Sequence, residues 1–371
     1  MKFIAKKQDL QAALQKISGA VTTKSSLPIL ENILLKTTDN SLELIATDLE
    51  ITIQTDAKVQ VEEAGSCTVP ARKLQNLIGE LPSADTNVEI EIKDERLYIE
   101  VTETNSHFQL PVLPKDEFPS FPEVDKGFNL KLDAQELSHM LKNTQFAAAV
   151  DSTRSYLCGV YFDINREDLT VVSTDAHRLA LHSTKLQDEQ YEGSQQSLLV
   201  PVKAIRELVK ILSDEEKIEI NAGNNMVEFK LDNTRLISRL IDDDFPNYRQ
   251  VIPEDYEYRI EIDRKRLYNA VRRVALMADE KTRRLLVTIE DNKLIIKAED
   301  SETGAGEEEL EVDYKGDENT IAFNGDYLAA VLDHIDDEKV YFDLISPDSP
   351  GTFRPLDDNN YLYIIMPLRL G

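Results

Sequence analysis

The stretch LQNLIGEL, residues 74–81, has apolar side chains at its first, fourth, fifth and eighth positions. This i, i+3, i+4, i+7 spacing places the apolar side chains on one face of a helix. The same spacing recurs in IRELVKIL at 205–212 and in LAAVLDHI at 328–335. One such stripe is common in globular proteins, whereas three in matching contexts indicate an internal repeat. We therefore expect three copies of one structural unit.

Each copy also begins with a short strand pattern followed by a second helix pattern. These patterns lie in KFIAKKQDLQAALQKI (2–17), LKLDAQELSHMLKNTQF (130–146) and IEIDRKRLYNAVRRVAL (260–276). Runs that alternate apolar and polar residues separate and follow the helices, as in NSLELIATDLEITIQT (40–55) and VEIEIKDERLYIEV (88–101). A period of two is typical of antiparallel strands with one buried face. The predicted fold class is α+β, with three repeated domains, each of two helices backed by antiparallel sheet.

The pair Thr-Asp closes a strand pattern in the first two copies. Asp175 follows Asp48 by 127 residues, and Leu137 follows Leu10 by the same interval. Short polar side chains at a strand end commonly bond nearby backbone groups. We therefore interpret Thr47-Asp48 and Thr174-Asp175 as the same turn in two copies of one domain.

Proline-rich connectors close the first two copies. They read LPKDEFPSFPEV (113–124) and IDDDFPNYRQVIPE (241–254). Proline rigidity suits a fixed joint better than a flexible linker. The expected domains are 1–124, 125–253 and 254–371.

The positive charge is concentrated on the helices. The chain has a net charge of −27, which by itself disfavours nucleic acid as a partner. The predicted helices carry 14 basic and 8 acidic residues, whereas the rest of the chain carries 28 basic and 61 acidic residues. These helices are predicted over 5–18, 71–80, 133–146, 202–212, 263–276 and 325–335. Although Lys and Arg are also good helix formers, this distribution is compatible with helices that face a polyanion.

Simple geometry indicates how many such helices could surround a DNA duplex. If each helix takes ~10 Å of the rim of a hole, six helices enclose a bore of roughly 9 Å, too narrow for a duplex. Twelve helices from two chains enclose a bore near 28 Å, which would hold a duplex loosely. An acidic exterior would repel DNA everywhere except in that bore.

Composition excludes several other classes of protein. The two cysteines, Cys67 and Cys158, lack CxxC spacing, so a disulfide framework or a cysteine-rich zinc site is not expected. The first residues, MKFIAKKQDLQAAL, are too charged for a signal peptide, and no apolar run approaches ~20 residues. We expect a soluble cytoplasmic protein without cofactor or metal.

Four motifs together resemble the bacterial DNA polymerase III beta subunits, the sliding clamps. They are LPILENILL (27–35), TDAHRLAL (174–181), DFPNYRQVIP (244–253) and YIIMPLRL (363–370). The resemblance covers the whole chain. It implies a head-to-tail homodimeric ring around DNA, no enzymatic activity, and a pocket for short peptides of the replicative polymerase, the clamp loader, other polymerases and repair proteins.

The resemblance also implies site residues. The peptide pocket would comprise Leu157, Thr174, His177, Arg178, Leu179, Pro246, Gln250, Val251, Ile364, Ile365, Met366, Pro367, Leu368 and Arg369. Basic positions that match those associated with DNA in the family are Lys24, Arg72, Arg154, Lys203 and Lys210. At the dimer joint, Leu276 and Met277 of one chain would meet Phe108 and Leu110 of the next.

Two other classes of function compete with this interpretation. Asp48, Asp175 and His177 could form an acid-base or metal site, but the chain has no glycine-rich phosphate loop, HExxH or CxxC motif. A protein-interaction scaffold that never meets nucleic acid is the second alternative. The concentration of basic residues on the helices argues against that scaffold.

Overall fold

The structure, a computed structural model, describes residues 1–371 except 24, 126, 188, 193–195, 224, 254, 301–303 and 370–371, and except the side chain of Asp214. Within the described residues the chain forms six α-helices and 25 strands, so the predicted α+β class is confirmed. The helices are α1 (Lys7–Ile17), α2 (Ala71–Gly79), α3 (Ala134–Thr144), α4 (Val202–Ile211), α5 (Arg264–Ala275) and α6 (Gly325–His334).

The strands repeat in the same order three times. The first repeat contains β1 (Lys2–Lys6), β2 (Asn32–Thr38), β3 (Ser41–Thr47), β4 (Ile51–Glu63), β5 (Ser66–Pro70), β6 (Asn87–Lys93), β7 (Arg96–Val101) and β8 (Ser106–Pro111). The central repeat contains β9 (Phe128–Asp133), β10 (Gly159–Ile164), β11 (Asp168–Thr174), β12 (Arg178–Lys185), β13 (Tyr191–Glu192), β14 (Gln196–Pro201), β15 (Lys217–Gly223), β16 (Met226–Lys230) and β17 (Thr234–Arg239). The last contains β18 (Tyr258–Asp263), β19 (Arg284–Glu290), β20 (Lys293–Asp300), β21 (Gly304–Glu311), β22 (Asn319–Asn324), β23 (Lys339–Leu344), β24 (Gly351–Pro355) and β25 (Tyr361–Ile365).

The order in which the strands pair is also repeated, and these pairings are antiparallel. One set of four strands runs β5-β2-β3-β4, β14-β10-β11-β12 and β22-β19-β20-β21 in the three repeats. The other set runs β1-β6-β7-β8, β9-β15-β16-β17 and β18-β23-β24-β25. Shared pairing order, rather than similar composition alone, identifies the three copies as one unit.

Edge strands join neighbouring repeats. In one joint, β17 of the central repeat pairs with β4 of the first, and the hydroxyls of Thr55 and Thr234 lie 2.8 Å apart. In the other, β25 of the last repeat pairs with β12 of the central one, with Leu179 opposite Ile364. Each joint uses the last strand of one repeat and the fourth strand of the repeat before it.

The chain therefore forms two compact units that do not follow the repeat order. The first comprises residues 1–136, 189–193 and 206–240, and the second comprises residues 137–188, 194–205 and 241–371. In the part of the chain described, the first unit holds a 13-stranded sheet and the second an 8-stranded and a 4-stranded sheet.

The helices confirm the repeat and the predicted apolar stripes. α1 and α3 each span 11 residues and are offset by 127 residues at both ends. α1 packs on α2 in the first unit, and α5 packs on α6 in the second. Most side chains of the three predicted apolar stripes are buried, but Leu77 on α2 and Val209 on α4 are only half-buried. Burying these apolar faces against the sheets stabilises the helices.

Polar side chains fix where several helices begin. Asp133 accepts backbone N–H groups from Gln135 and Glu136, each at 2.9 Å, ahead of α3. Asp263 caps α5 through the N–H of Arg266 at 2.7 Å, and Asn324 caps α6. Such caps satisfy N–H groups that have no partner within the helix.

Candidate functional site

The two Thr-Asp turns have the same hydrogen bonds. The threonine hydroxyl donates to the carbonyl four residues on, at 3.0 Å for Thr47 and 2.6 Å for Thr174. The Oδ1 atoms of Asp48 and Asp175 accept the N–H groups two and three residues on. The residue after each aspartate has a φ of 76°. Both aspartates therefore organise a turn, as the repeat interpretation predicted.

The second turn carries an arginine that the first lacks. Nε of Arg178 donates to Oδ2 of Asp175 at 2.9 Å, and both side chains are largely buried. The guanidinium lies 4.4 Å from the ring centroid of Tyr327, within cation–π range. In the first turn Ile51 occupies the corresponding place. These contacts hold Arg178 in one orientation at the start of β12.

A cavity of about 220 Å³ lies beside this turn, within the second compact unit. Its lining is mostly apolar or aromatic, with two arginines and two further polar residues. The lining residues are Arg154, Tyr156, Leu157, Thr174, Ala176, Arg178, Leu179, Pro246, Asn247, Tyr248, Val251, Ile364 and Met366. Such a slot can receive an apolar side chain while the arginines engage polar groups.

The connector that walls this cavity is anchored by a buried carboxylate. Oδ2 of Asp163 accepts a hydrogen bond from the Tyr248 hydroxyl at 2.9 Å and pairs with Arg249 at 2.7 Å. Burial and the Asp163 hydrogen bond raise the pKa of Tyr248 above its ordinary value. Phe245 stacks on Tyr161 with ring centroids 4.6 Å apart. The wall is thus fixed to β10.

Strand β25 sends alternate side chains to opposite faces, as any strand does. Ile364 packs with Leu179 and Tyr248 and lines the cavity. Ile365 is fully buried in the larger apolar core of the same unit. The N–H of Met366 then donates to the carbonyl of His177 at 2.9 Å, which joins the C-terminal segment to the turn.

A second, more polar cavity of about 700 Å³ lies in the same unit, and Met366 lines both. Its lining combines charged side chains with the C-terminal segment. The residues are His177, Asp279, Lys281, Thr282, Arg284, Glu299, Asp300, Asn324, Tyr327, Met366, Pro367, Leu368 and Arg369. The N–H of Leu368 donates to the carbonyl of Ala322 at 2.7 Å, so this segment is held along β22.

The sequence-predicted pocket residues thus divide between two cavities. Those on the first are Leu157, Thr174, Arg178, Leu179, Pro246, Val251, Ile364 and Met366. Those on the second are His177, Met366, Pro367, Leu368 and Arg369. Gln250 and Ile365 line neither cavity: Gln250 is exposed on the connector, and Ile365 faces the core.

Sequence reasoning missed several lining residues. Tyr156, Ala176, Asn247 and Tyr248 were not predicted, and Arg154 was assigned to DNA although it lines the first cavity. Ala176 stands inside the motif TDAHRLAL, and Asn247 and Tyr248 stand inside DFPNYRQVIP. Their position in these motifs, next to predicted pocket residues, is the one feature of the sequence that points to them. Residue type alone does not show which side chains line a cavity.

The remaining predicted residues differ in exposure. Arg72, Lys203 and Lys210 are exposed, and Lys210 pairs with Glu207 at 2.8 Å. Lys24 lies outside the described residues. Among the residues predicted for the dimer joint, Leu276 is 73% and Phe108 38% exposed, whereas Leu110 is only 8% exposed. Met277 is partly buried against the core of the second unit.

Several basic residues of the helices are engaged within the chain. Lys7 donates to the carbonyls of Gly79 and Leu81 at the end of α2, and Lys16 pairs with Glu215 at 2.9 Å. On α5, Arg264 bonds backbone carbonyls and Arg273 pairs with Glu308. The positive charge free to meet a polyanion is therefore smaller than the helix composition suggests. Among the exposed residues of α5 are Lys265, Arg266 and Arg272.

A threefold repeat of two helices and eight or nine strands, joined edge to edge, defines the sliding-clamp class of protein. Comparison with known families agrees along nearly the whole chain. Residues 1–122, 131–247 and 249–369 match the N-terminal, central and C-terminal domains of the DNA polymerase III beta subunit. The chain belongs to this family, the beta sliding clamps, and is a processivity factor of DNA replication and not an enzyme.

Individual relatives match over their full lengths. The beta sliding clamp of Vibrio cholerae serotype O1 is 32% identical over 372 residues, with 100% of both chains covered. A Pseudomonas aeruginosa DnaN sliding clamp bound to griselimycin has a TM-score of 0.94 at 32% identity, with 100% of both chains covered. A C. crescentus beta sliding clamp, with polyethylene glycol bound at its proposed beta-motif tethering region, has a TM-score of 0.90 at 32% identity and the same coverage. Among the described residues, no helix is long and apolar enough to cross a membrane.

Proposed function

We propose that two copies of this chain close head to tail into a ring around duplex DNA, and that short peptides of partner proteins dock in the two cavities. The ring would hold three clamp domains per chain, over 1–124, 125–253 and 254–371. The proposed partners are the replicative polymerase, the clamp loader, other polymerases and repair proteins. The clamp would keep each bound enzyme on DNA without contributing any chemistry.

The observation that carries the ring proposal is a joint that occurs twice within the chain. The last strand of a repeat pairs with the fourth strand of the repeat before it, as β17 with β4 and β25 with β12. By this rule two of the described strands have no neighbouring repeat to pair with. They are β8, the last strand of the first repeat, and β21, the fourth strand of the last repeat. In the described chain each of them pairs on one side only, with β7 and β20 respectively. A second copy can supply the missing partner to each edge, and a heterologous joint of that kind gives a ring when the rotation between the copies closes.

Side chains beside these edges suit a small apolar contact. Phe108 on β8 and Leu276 just after α5 are both exposed. Met277 approaches Gly306 of β21, where an added Cβ would lie 3.0 Å from its Cγ. Leu110 is buried within its own sheet, so we propose that it supports β8 rather than meeting the next chain. Apolar groups at the centre of a joint exclude water from the strand pairing.

The proposed DNA contact is loose and independent of base sequence. Arg72, Lys203 and Lys210 are exposed on α2 and α4, and Lys265 and Arg266 are exposed on α5. Twelve helices around a rim give a bore near 28 Å, wider than a duplex. Contacts of basic side chains with phosphates carry no sequence information, and salt weakens them. Such a ring can move along the duplex.

The tether is proposed to use both cavities at once. The apolar cavity would take the apolar anchor of a peptide, while the polar cavity would take its extended, polar part. Met366 lines both cavities, and a flexible thioether adapts to different side chains. The ligand-bound relatives from P. aeruginosa and C. crescentus support the proposal that this chain also has a tethering region.

Deleting Met366–Gly371 tests the tether. We expect the shortened chain to remain a dimer and to lose binding of a polymerase-derived peptide, measured by fluorescence anisotropy. The full-length chain serves as the control in the same titration. Retained affinity in the micromolar range would overturn the assignment of the cavities.

A further inference from the structure

A cluster of two histidines and an aspartate lies outside both cavities. His139 is on α3, His182 is on β12, and Asp358 is in the connection between β24 and β25. One ring nitrogen of each histidine and a carboxylate oxygen of Asp358 all lie within 4.8 Å of one another. The three residues belong to one compact unit.

Strand pairing explains why they meet. His182 lies opposite Tyr361 in the β12–β25 pairing, and the N–H of Ser183 donates to the carbonyl of Asn360 at 3.0 Å. This contact brings the residues just before β25 to the end of β12. On the other side, the Ser173 hydroxyl donates to the carbonyl of Thr144, which ties the end of α3 to β11.

The geometry of the cluster is close to that of a metal site. Nε2 of His182 lies 3.1 Å from Oδ2 of Asp358. Two ligand atoms about 2.0 Å from a tetrahedral zinc ion lie roughly 3.3 Å apart. The distance between Nε2 of His182 and Oδ2 of Asp358 is close to this value. The third ligand, His139, is exposed and can close the remaining distance by rotating its side chain.

Neighbouring groups contact two of the three side chains. Oδ1 of Asp358 accepts the N–H of Asn360 at 2.9 Å, which leaves Oδ2 for His182. Nε2 of His139 lies 3.1 Å from the side-chain amide nitrogen of Asn143. Contacts of this kind with the outer atoms of ligands are typical of metal sites.

His182 is the buried member of the cluster, and its Nε2 already lies against Asp358. His182 is 6% exposed, and among the described residues its Nδ1 has no hydrogen-bond partner. Because Nε2 is the nitrogen that lies beside Asp358, it would be the ligand atom of His182.

We propose that His139, His182 and Asp358 bind one divalent transition-metal ion per chain, with Zn²⁺ as the best match. Two imidazoles and one carboxylate suit zinc better than the hard cations Mg²⁺ and Ca²⁺, which prefer oxygen ligands. The ion would link α3, β12 and the β24–β25 connection, so it would stabilise the joint between the central and last repeats. The fourth coordination position of the ion would face solvent, on the side of the cluster where His139 is exposed.

Equilibrium dialysis of tag-free full-length protein against Zn²⁺ tests the site, with Mg²⁺ as the parallel probe. We expect one bound Zn²⁺ per chain, no corresponding uptake of Mg²⁺, and an affinity reduced about tenfold or more in His139→Ala and in Asp358→Asn. Asp348→Asn is the matched control because Asp348 is exposed in the connection between β23 and β24 of the same unit. It should bind zinc as the unmodified chain does.

Two further readouts separate ligation from a structural effect. Zn²⁺ should raise the thermal midpoint of the unmodified chain and of Asp348→Asn, but not that of His139→Ala. Co²⁺ in place of zinc should give visible absorption bands of a four-coordinate site that disappear in Asp358→Asn. Equal zinc affinity in the unmodified chain and His139→Ala, or no zinc uptake by the unmodified chain, would overturn the proposal.

Discussion

Nε of Arg178 donates a 2.9 Å hydrogen bond to Oδ2 of Asp175, the residue whose other oxygen organises the turn before β12. One carboxylate therefore shapes the backbone and fixes a cavity-lining side chain. The turn at Asp48 has the same backbone bonds, but Ile51 stands where Arg178 stands in the copy. The two turns share their backbone bonds, and the arginine distinguishes the turn that lies beside the cavity.

Replacing each aspartate by alanine separates these two roles. Asp48→Ala should cost about 1–2 kcal/mol of unfolding free energy, since two N–H groups lose their acceptor. Asp175→Ala should cost about 1–3 kcal/mol more, because it also leaves the largely buried Arg178 unpaired. Urea denaturation measures both, and peptide titration should show loss of affinity in Asp175→Ala alone. Equal peptide affinity in the two variants would contradict this role for Arg178.

A charge placed in the apolar cavity should weaken the tether without unfolding the chain. Val251 lines the cavity and is 38% exposed, so Val251→Asp should leave the thermal midpoint nearly unchanged. The affinity for a partner peptide should fall about tenfold or more, since a lost apolar contact of roughly 1.5 kcal/mol corresponds to that factor. The matched control is Val150→Asp, at a position 76% exposed and outside the cavity lining. If both variants bind peptide equally well, Val251 does not contribute to the site.

The hydrogen bond from Tyr248 to Asp163, which anchors the connector, should make the free energy of unfolding fall at alkaline pH. The pKa of Tyr248 is raised in the folded chain, first by burial and then by the hydrogen bond to Asp163. Below pH ~10 the phenol is neutral in both the folded and unfolded states. Above that pH the unfolded chain releases the proton while the folded chain retains it, so stability falls as pH rises.

Tyr248→Phe should reduce that alkaline loss and cost about 1–2 kcal/mol at neutral pH, because the buried Asp163 loses a donor. Urea denaturation on either side of pH ~10 gives both quantities. Tyr256→Phe is the control, since Tyr256 is 49% exposed and a phenyl ring keeps its packing on Arg259. An unchanged pH slope in Tyr248→Phe would contradict the assigned cause.

The joint between chains can be tested at its most exposed apolar side chain. Leu276 is 73% exposed within one chain, so Leu276→Asp should fold normally. Buried against a partner, the new carboxylate would be desolvated next to apolar groups, and the dimer should dissociate. Light scattering should then report 42.1 kDa rather than twice that mass. A dimer as stable as that of the control Val150→Asp would place the joint elsewhere.

Much of the fold could be predicted from the sequence because periodicity is a local property. The three stripes beginning at Leu74, Ile205 and Leu328 mark one helix of each copy, and the interval from Asp48 to Asp175 marks the repeated turn. Side-chain direction was harder. Ile364 and Ile365 are equally apolar, and only the pairing of β25 with β12 decides which of them faces the cavity.

Contacts between distant residues could not be predicted in the same way. The pairing of Asp163 with Tyr248 spans 85 residues, and that of Lys16 with Glu215 spans 199. Nothing in the neighbouring sequence of either partner reports the other. For this reason the charge count overestimated the free basic surface, and Arg154 was not recognised as a cavity residue.

We propose that the clamp holds DNA by encircling it. The most direct measurement places the clamp on nicked circular duplex with a clamp loader, raises the salt concentration, and follows release before and after the circle is cut. Salt removes phosphate contacts but does not open a ring, so the clamp should stay on circles and leave once an end is available. Equal release from circular and linear DNA would contradict encirclement.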